Sequence, residues 1–223
     1  MIRLVVFDCD GTLVDSQRRI IAAVRSAWEG QRLTPPGDED IRQIVGLALP
    51  QALRRLAPTA DPGLAAALVE GFRQSFHALM QDPDYDEPLY PGVVEALEAL
   101  AAAGVLLGVA TGKGRRGLAH TLERHGIDDR FVVLKTADDG PSKPHPQILE
   151  DAMSELGAAP ATTVMLGDTA FDMAMARAAG AHALGVSWGY HPADELTAHG
   201  AHEILHSYDE APAAVLRRLD TAR

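Results

Sequence analysis

The sequence predicts an α/β protein, a Rossmann-like parallel sheet core with an all-helical cap domain inserted after the first strand. Three observations predict it. Short, β-branched apolar runs without alternation recur at 2–7, 105–110, 131–134, 163–166 and 183–186, and continuous apolarity of that length marks strands buried on both faces. Helical patterns at 92–103, 115–125, 146–156 and 171–179 alternate with them, as right-handed crossovers require. The interval from Ser16 to Pro88 exceeds seventy residues, far more than one crossover helix needs.

In chain order, the first run leads straight into Asp8-Cys9-Asp10-Gly11-Thr12. The long interval then carries mostly amphipathic helical patterns at 20–28, 40–45, 50–56 and 64–80. It leaves through Asp82-Pro83-Asp84-Tyr85-Asp86-Glu87-Pro88, a linker rich in proline and acid. The expected division is a catalytic core of residues 1–14 and 89–223 and a helical cap of residues 15–88, hinged near 13–16 and 86–90. In the core, Gly104, Gly126, Gly157 and Gly180 each follow a helical pattern, where a left-handed helix end favours glycine.

Composition narrows the function. A net charge of -11 repels a phosphate backbone, and no basic stripe offsets it, so nucleic acid is excluded as a partner. The longest apolar stretch, 99–110, is too short to span a bilayer and contains two glycines, so no membrane is expected. A lone cysteine, Cys9, forms no internal disulfide and suits a reducing, cytoplasmic setting. The expected assembly is a monomer.

The chemistry-bearing residues sit at predicted strand ends. In extended backbone Asp8 and Asp10 point to one side and Cys9 to the other, and two close carboxylates repel unless a cation or proton lies between them. An EF-hand reading fails because its glycine would fall on Leu13. Thr111 follows the second run, Lys143 the turn after the third, and Gly167-Asp168-Thr169-Ala170-Phe171-Asp172 the fourth. Strand ends of an open α/β sheet converge on its ligand crevice. Each residue also has a plainer reading. Thr111 starts a helix equally well, Lys143 reads as a solvated loop lysine, and Thr169 with Asp172 reads as a capping pair compatible with catalysis. Cys9 reads as a small buried apolar residue, since a cysteine-phosphatase loop needs Arg where Asp15 sits. His145 reads as a turn residue beside Pro146.

Taken together, Asp8-Cys9-Asp10-Gly11-Thr12-Leu13-Val14-Asp15-Ser16, Thr111-Gly112-Lys113, Lys143-Pro144-His145-Pro146, Gly167-Asp168-Thr169 with Asp172, and Trp188-Gly189-Tyr190 resemble the haloacid dehalogenase superfamily. The likeness is to its phosphoglycolate-phosphatase-like branch with a helical cap, and it covers nearly the whole chain. The resemblance implies a magnesium-dependent phosphatase that hydrolyses a small phosphorylated metabolite through an aspartyl-phosphate. It implies Asp8 as nucleophile and Asp10 as general acid and base. Thr111, Gly112 and Lys143 would bind the phosphate. Asp8, the carbonyl of Asp10 and Asp168 would hold Mg²⁺, with Asp172 in support.

The same resemblance separates neighbouring reactions. Dehalogenases of the superfamily usually lack the second aspartate, here Asp10. Phosphonatases need a cap lysine, and Lys113, Lys135 and Lys143 all lie outside the cap. β-Phosphoglucomutase-like members carry a histidine soon after the first motif, where residues 16–33 have none. Pyrophosphate and sugar phosphates stay open as substrates, as does a phospho-accepting or binding protein without turnover. Specificity is expected near residues 44–47, with Arg42, Arg54 and Arg55 as candidate contacts.

Overall fold

A computed structural model of the chain describes residues 1–220. Its sheet contains β1 (Leu4–Phe7), β2 (Leu106–Ala110), β3 (Val133–Lys135), β4 (Thr163–Gly167), β5 (His182–Val186) and β6 (Glu203–Leu205). All pair in parallel, in the order β3-β2-β1-β4-β5-β6. The five apolar runs thus become five strands, and β6 is added at the edge. Leu4 is in register with Leu106 on one side and Thr163 on the other. The order reverses between β1 and β4, so a crevice opens beyond their carboxyl ends.

Among the described residues, eight of the ten α-helices follow expected patterns. Between β1 and β2 come α1 (Gln17–Gly30), α2 (Asp38–Arg42), α3 (Leu49–Leu56), α4 (Pro62–Leu79) and α5 (Val93–Ala102). The remainder are α6 (Arg115–Arg124), α7 (Gln147–Leu156), α8 (Ala170–Ala178), α9 (Ala193–Ala198) and α10 (Ala211–Asp220). Gly104, Gly126, Gly157 and Gly180 follow α5 to α8 with positive φ, as expected.

The strands lack alternation because both faces are covered. Val5 and Phe7 join Leu97, Leu100, Leu118, Leu122, Val215 and Leu219 in one buried cluster, which packs α5, α6 and α10 on that face. Leu4 and Val6 point the other way and join Ile148, Leu149, Met153, Met173 and Leu196 from α7, α8 and α9. Phe7 also meets Phe131 edge to face, ring centroids 6.2 Å apart.

Helices α1 to α4 gather around their own apolar cluster, built on Ile20, Val24, Trp28, Ile41, Leu53 and Leu68. Asp61 caps α4 by accepting from the Leu64 N–H at 2.9 Å. The two connections to the sheet lie side by side: Asp15 N–H donates to the Pro88 carbonyl at 2.9 Å and Tyr90 N–H to the Leu13 carbonyl at 3.0 Å.

Phe7 is fully buried at the centre of the sheet. Phe7→Ala is expected to lower unfolding free energy by about 3–5 kcal/mol, read from urea denaturation followed by circular dichroism.

Candidate active site

Asp8 leaves β1 while still tied to the sheet, its N–H donating to the Leu166 carbonyl at 3.0 Å. Its carboxylate is buried. Oδ1 accepts from Cys9 N–H at 2.7 Å and meets Lys143 Nζ at 2.9 Å. Oδ2, by contrast, is a buried atom with no hydrogen-bond partner among the described residues. Cys9 points into the core cluster, as its alternation from Asp8 and Asp10 predicts.

Lys143 is fully buried and lies between two carboxylates, with Asp172 Oδ1 at 2.6 Å on its other side. Asp172 is in turn fixed by the start of α8: its Oδ2 accepts from the N–H and hydroxyl of Thr169 at 3.0 and 2.7 Å, and the two residues form a capping box. Asp168, at the end of β4, accepts from Thr12 Oγ1 at 2.8 Å and from Tyr190 N–H at 2.9 Å. The expected Trp188-Gly189-Tyr190 segment therefore serves the site by orienting Asp168. Trp188 also donates to the Thr12 carbonyl at 3.2 Å.

Asp8, Asp168 and Asp172 each offer a carboxylate oxygen within 4.8 Å of the others. Three buried carboxylates face one ammonium there, and the imbalance shows in the proton affinities of Asp8, Asp168 and Lys143. Burial pushes Asp8 up to about 7; Lys143 opposes that shift and Asp172 adds to it. Asp168 is raised by burial, then by Asp172 and Asp8. Burial disfavours the Lys143 ammonium, yet Asp172 and Asp8 outweigh it and hold the side chain charged. An excess of negative charge, hard oxygen donors and the orphaned Asp8 Oδ2 together fit a divalent cation such as Mg²⁺.

Asp10 behaves differently. Its carboxylate accepts from Ser16 Oγ at 2.6 Å and pairs with Lys113 Nζ at 2.9 Å. It is absent from the three-carboxylate group, so only its backbone carbonyl remains as the expected metal donor. Thr111 is buried, and its Oγ1 accepts from Lys113 N–H at 3.2 Å. Gly114, rather than Thr111, stands at the start of α6. His145 is exposed in its turn.

Two glycines are demanded by this packing. Gly11 has φ +80°, and a Cβ there would collide with the carboxylate of Asp168 and the ring of Tyr190. A Cβ at Gly112 would strike the carbonyls of Gly46 and Leu47, from the loop after α2. The same loop reaches the core again where Ala48 N–H donates to Ser142 Oγ at 2.7 Å.

Between this loop, α1, α4 and the strand ends lies a cavity of about 940 Å³, lined by Asp8, Asp10, Thr111 and Gly112 on the sheet side. Residues 44–47 line it as expected. Arg42, Arg54 and Arg55 are not among its lining residues. Arg42 binds Gln17 and Glu39, both at 2.9 Å, Arg54 is exposed, and Arg55 stacks on Phe171 at 5.0 Å. Besides Lys113, the lining cations and imidazoles are the pairs Arg73 with His77 and Arg116 with His120. Each pair is four residues apart on one helix, a spacing that puts both members on one face and was readable from the sequence.

Residues 5–186 match the haloacid dehalogenase-like hydrolase family. The chain belongs to that family. The hydrolase is 36% identical over 217 residues to "Probable phosphatase IndB" of Dickeya dadantii, covering 95% of this chain and 92% of the relative. It is 31% identical over 207 residues to a phosphoglycolate phosphatase of Vibrio vulnificus, covering 88% and 89%. Among solved structures, a hydrolase from Pseudomonas syringae superposes with a TM-score of 0.83 at 26% identity, covering 98% of each chain.

Because folding raises the Asp8 and Asp168 proton affinities, ionising them opposes the folded state. For Asp8, stability of the metal-free hydrolase is present at low pH and lost as pH rises from the ordinary value of 3.8 towards about 7. A divalent cation competes with those protons. Its stabilisation should therefore grow over the same window. In thermal unfolding with and without MgCl₂, the gain in Tm is expected to be larger at about pH 7.5 than at about pH 5. A gain independent of pH would contradict the assignment.

Proposed function

We propose that this hydrolase is a magnesium-dependent phosphatase that releases phosphate from a small phosphomonoester through an aspartyl-phosphate on Asp8. The observation that carries the reading is the buried Lys143 held between Asp8 and Asp172, with Asp168 alongside, where Asp8 itself lines the cavity. Nucleophile, cation and metal-competent carboxylates stand where a phosphoryl group would bring dense negative charge. The relatives, a probable phosphatase and a phosphoglycolate phosphatase, agree with this class.

In this mechanism Asp8 attacks phosphorus and the ester oxygen departs. Lys143 offsets charge on the phosphoryl oxygens while Asp172 keeps its ammonium in line. Thr111 Oγ1 already accepts from the backbone, so its proton is free to donate to a phosphate oxygen. Gly112 leaves its N–H approachable beside it. Asp10 protonates the leaving oxygen, then takes a proton from the water that cleaves the aspartyl-phosphate. Asp8, Asp168 and the Asp10 carbonyl would hold magnesium, with Asp172 in support; the bound ion supplies charge neutralisation that lets one anion approach another.

Residues 15–88 act in this reading as a cap over the cavity, joined to a core of residues 1–14 and 89–223. The substrate is a small phosphorylated metabolite, the setting cytoplasmic and the assembly monomeric.

Asp8→Asn should abolish turnover of p-nitrophenyl phosphate while the Tm stays close to that of the unaltered protein. Asp10→Asn should reduce kcat by about a hundred- to ten-thousand-fold. The assay with MgCl₂ and with EDTA tests the metal: near-normal activity in Asp8→Asn, or equal rates with EDTA, would overturn the reading.

A further inference from the structure

A second group of buried charges lies beside the first, and the proposed chemistry uses only its Asp10. Arg19, Glu87, Lys113 and Asp10 alternate in sign: Arg19 Nη1 meets Glu87 Oε2 at 2.8 Å, Glu87 Oε1 meets Lys113 Nζ at 3.3 Å, and Lys113 Nζ meets Asp10 Oδ1 at 2.9 Å. Arg19 and Glu87 are each 1% exposed. Arg19 lies at the start of α1 and Glu87 on the returning connection, so the row crosses the junction between the helices and the sheet.

The row is closely satisfied. Arg19 donates twice more, through Nε and Nη2, to the Tyr85 carbonyl at 3.0 and 2.7 Å. Thr121 Oγ1 accepts from Lys113 Nζ at 3.2 Å and donates to Glu87 Oε2 at 3.3 Å. His125 Nε2 meets the Glu87 carbonyl at 2.7 Å. An ammonium has three protons, and those of Lys113 are matched by Asp10, Glu87 and Thr121. It is held from three sides, and Asp10 is held by it. Buried ion pairs contribute little net stability over well-packed apolar residues, so stability alone is a weak reason for four charges here.

We propose that Glu87 is a positioning residue for Asp10. Acting through Lys113, it fixes the direction from which the Asp10 carboxylate meets the leaving oxygen. Without the Glu87 charge, Lys113 loses one of its three anchors and moves with Asp10 instead of restraining it. The orientation of the acid is thereby tied to the two connections of the helical segment. The proposal rests on the reading of Asp10 as general acid.

The test compares two aryl esters of similar shape. p-Nitrophenolate departs with little need of a proton; phenolate, whose conjugate acid resembles the Tyr side chain at about 10, needs one far more. The ratio kcat/KM covers steps only through leaving-group departure, before Asp10 acts as base. Glu87→Gln alone strands a buried guanidinium, so the main variant is the double substitution Arg19→Met with Glu87→Gln. Thr121→Val is the second, since it removes an anchor of the same ammonium at nearly constant shape.

In the double variant kcat/KM is expected to fall about tenfold for phenyl phosphate, a fraction of what general acid catalysis supplies, and much less for p-nitrophenyl phosphate. Thr121→Val should show a smaller loss with the same preference. Asp10→Asn serves as reference. If Asp10→Asn is selective for phenyl phosphate and neither other variant is, Glu87 is structural only and the proposal is overturned while the acid reading stands. If Asp10→Asn loses both esters equally, the acid reading itself falls.

Discussion

The structure at the strand ends depends on a lysine ammonium buried between two carboxylates. Asp172 and Asp8 keep Lys143 charged against its burial, and Lys143 in turn opposes the rise that burial imposes on Asp8. The constraint spreads outward. Asp172 is held by Thr169 at the head of α8, Asp8 by the sheet through its N–H, and Asp168 by Thr12 and Tyr190. A doubly covered parallel sheet suits this task, because its strand ends are rigid and its switch point leaves room for a ligand.

Much of this was legible in the residues. Runs such as 2–7 and 163–166 announced strands because a strand covered on both faces needs apolar side chains in both directions, and Val5 with Phe7 against Leu4 with Val6 shows it. The motif aspartates and Lys143 were legible because strand ends converge in such a sheet. The C-terminal part was not. Strand β6 has three residues and α9 six, too few for a periodic signal, and α10 carries a mixed face with Arg217 and Arg218.

Partnerships across the chain were also hidden. Glu87 sits in a run that reads as a linker rich in proline and acid, and only the fold brings Arg19, Lys113 and Thr121 around it. The Asp10 carboxylate turns towards Ser16, within its own motif, and towards Lys113, a partner that only the fold brings to it. Arg42 and Arg55 looked like candidate ligand contacts from their neighbourhood, but Gln17, Glu39 and the Phe171 ring engage them.

The contact of Gly112 with the carbonyls of Gly46 and Leu47 sets how near the helices stand to the sheet by main chain against main chain. Spacing of that kind is indifferent to side-chain identity along the cavity walls. Residues such as Arg73, His77 or Arg116 are therefore free to diverge and reshape the chamber for other leaving groups, while the distance between the helices and the strand ends is preserved.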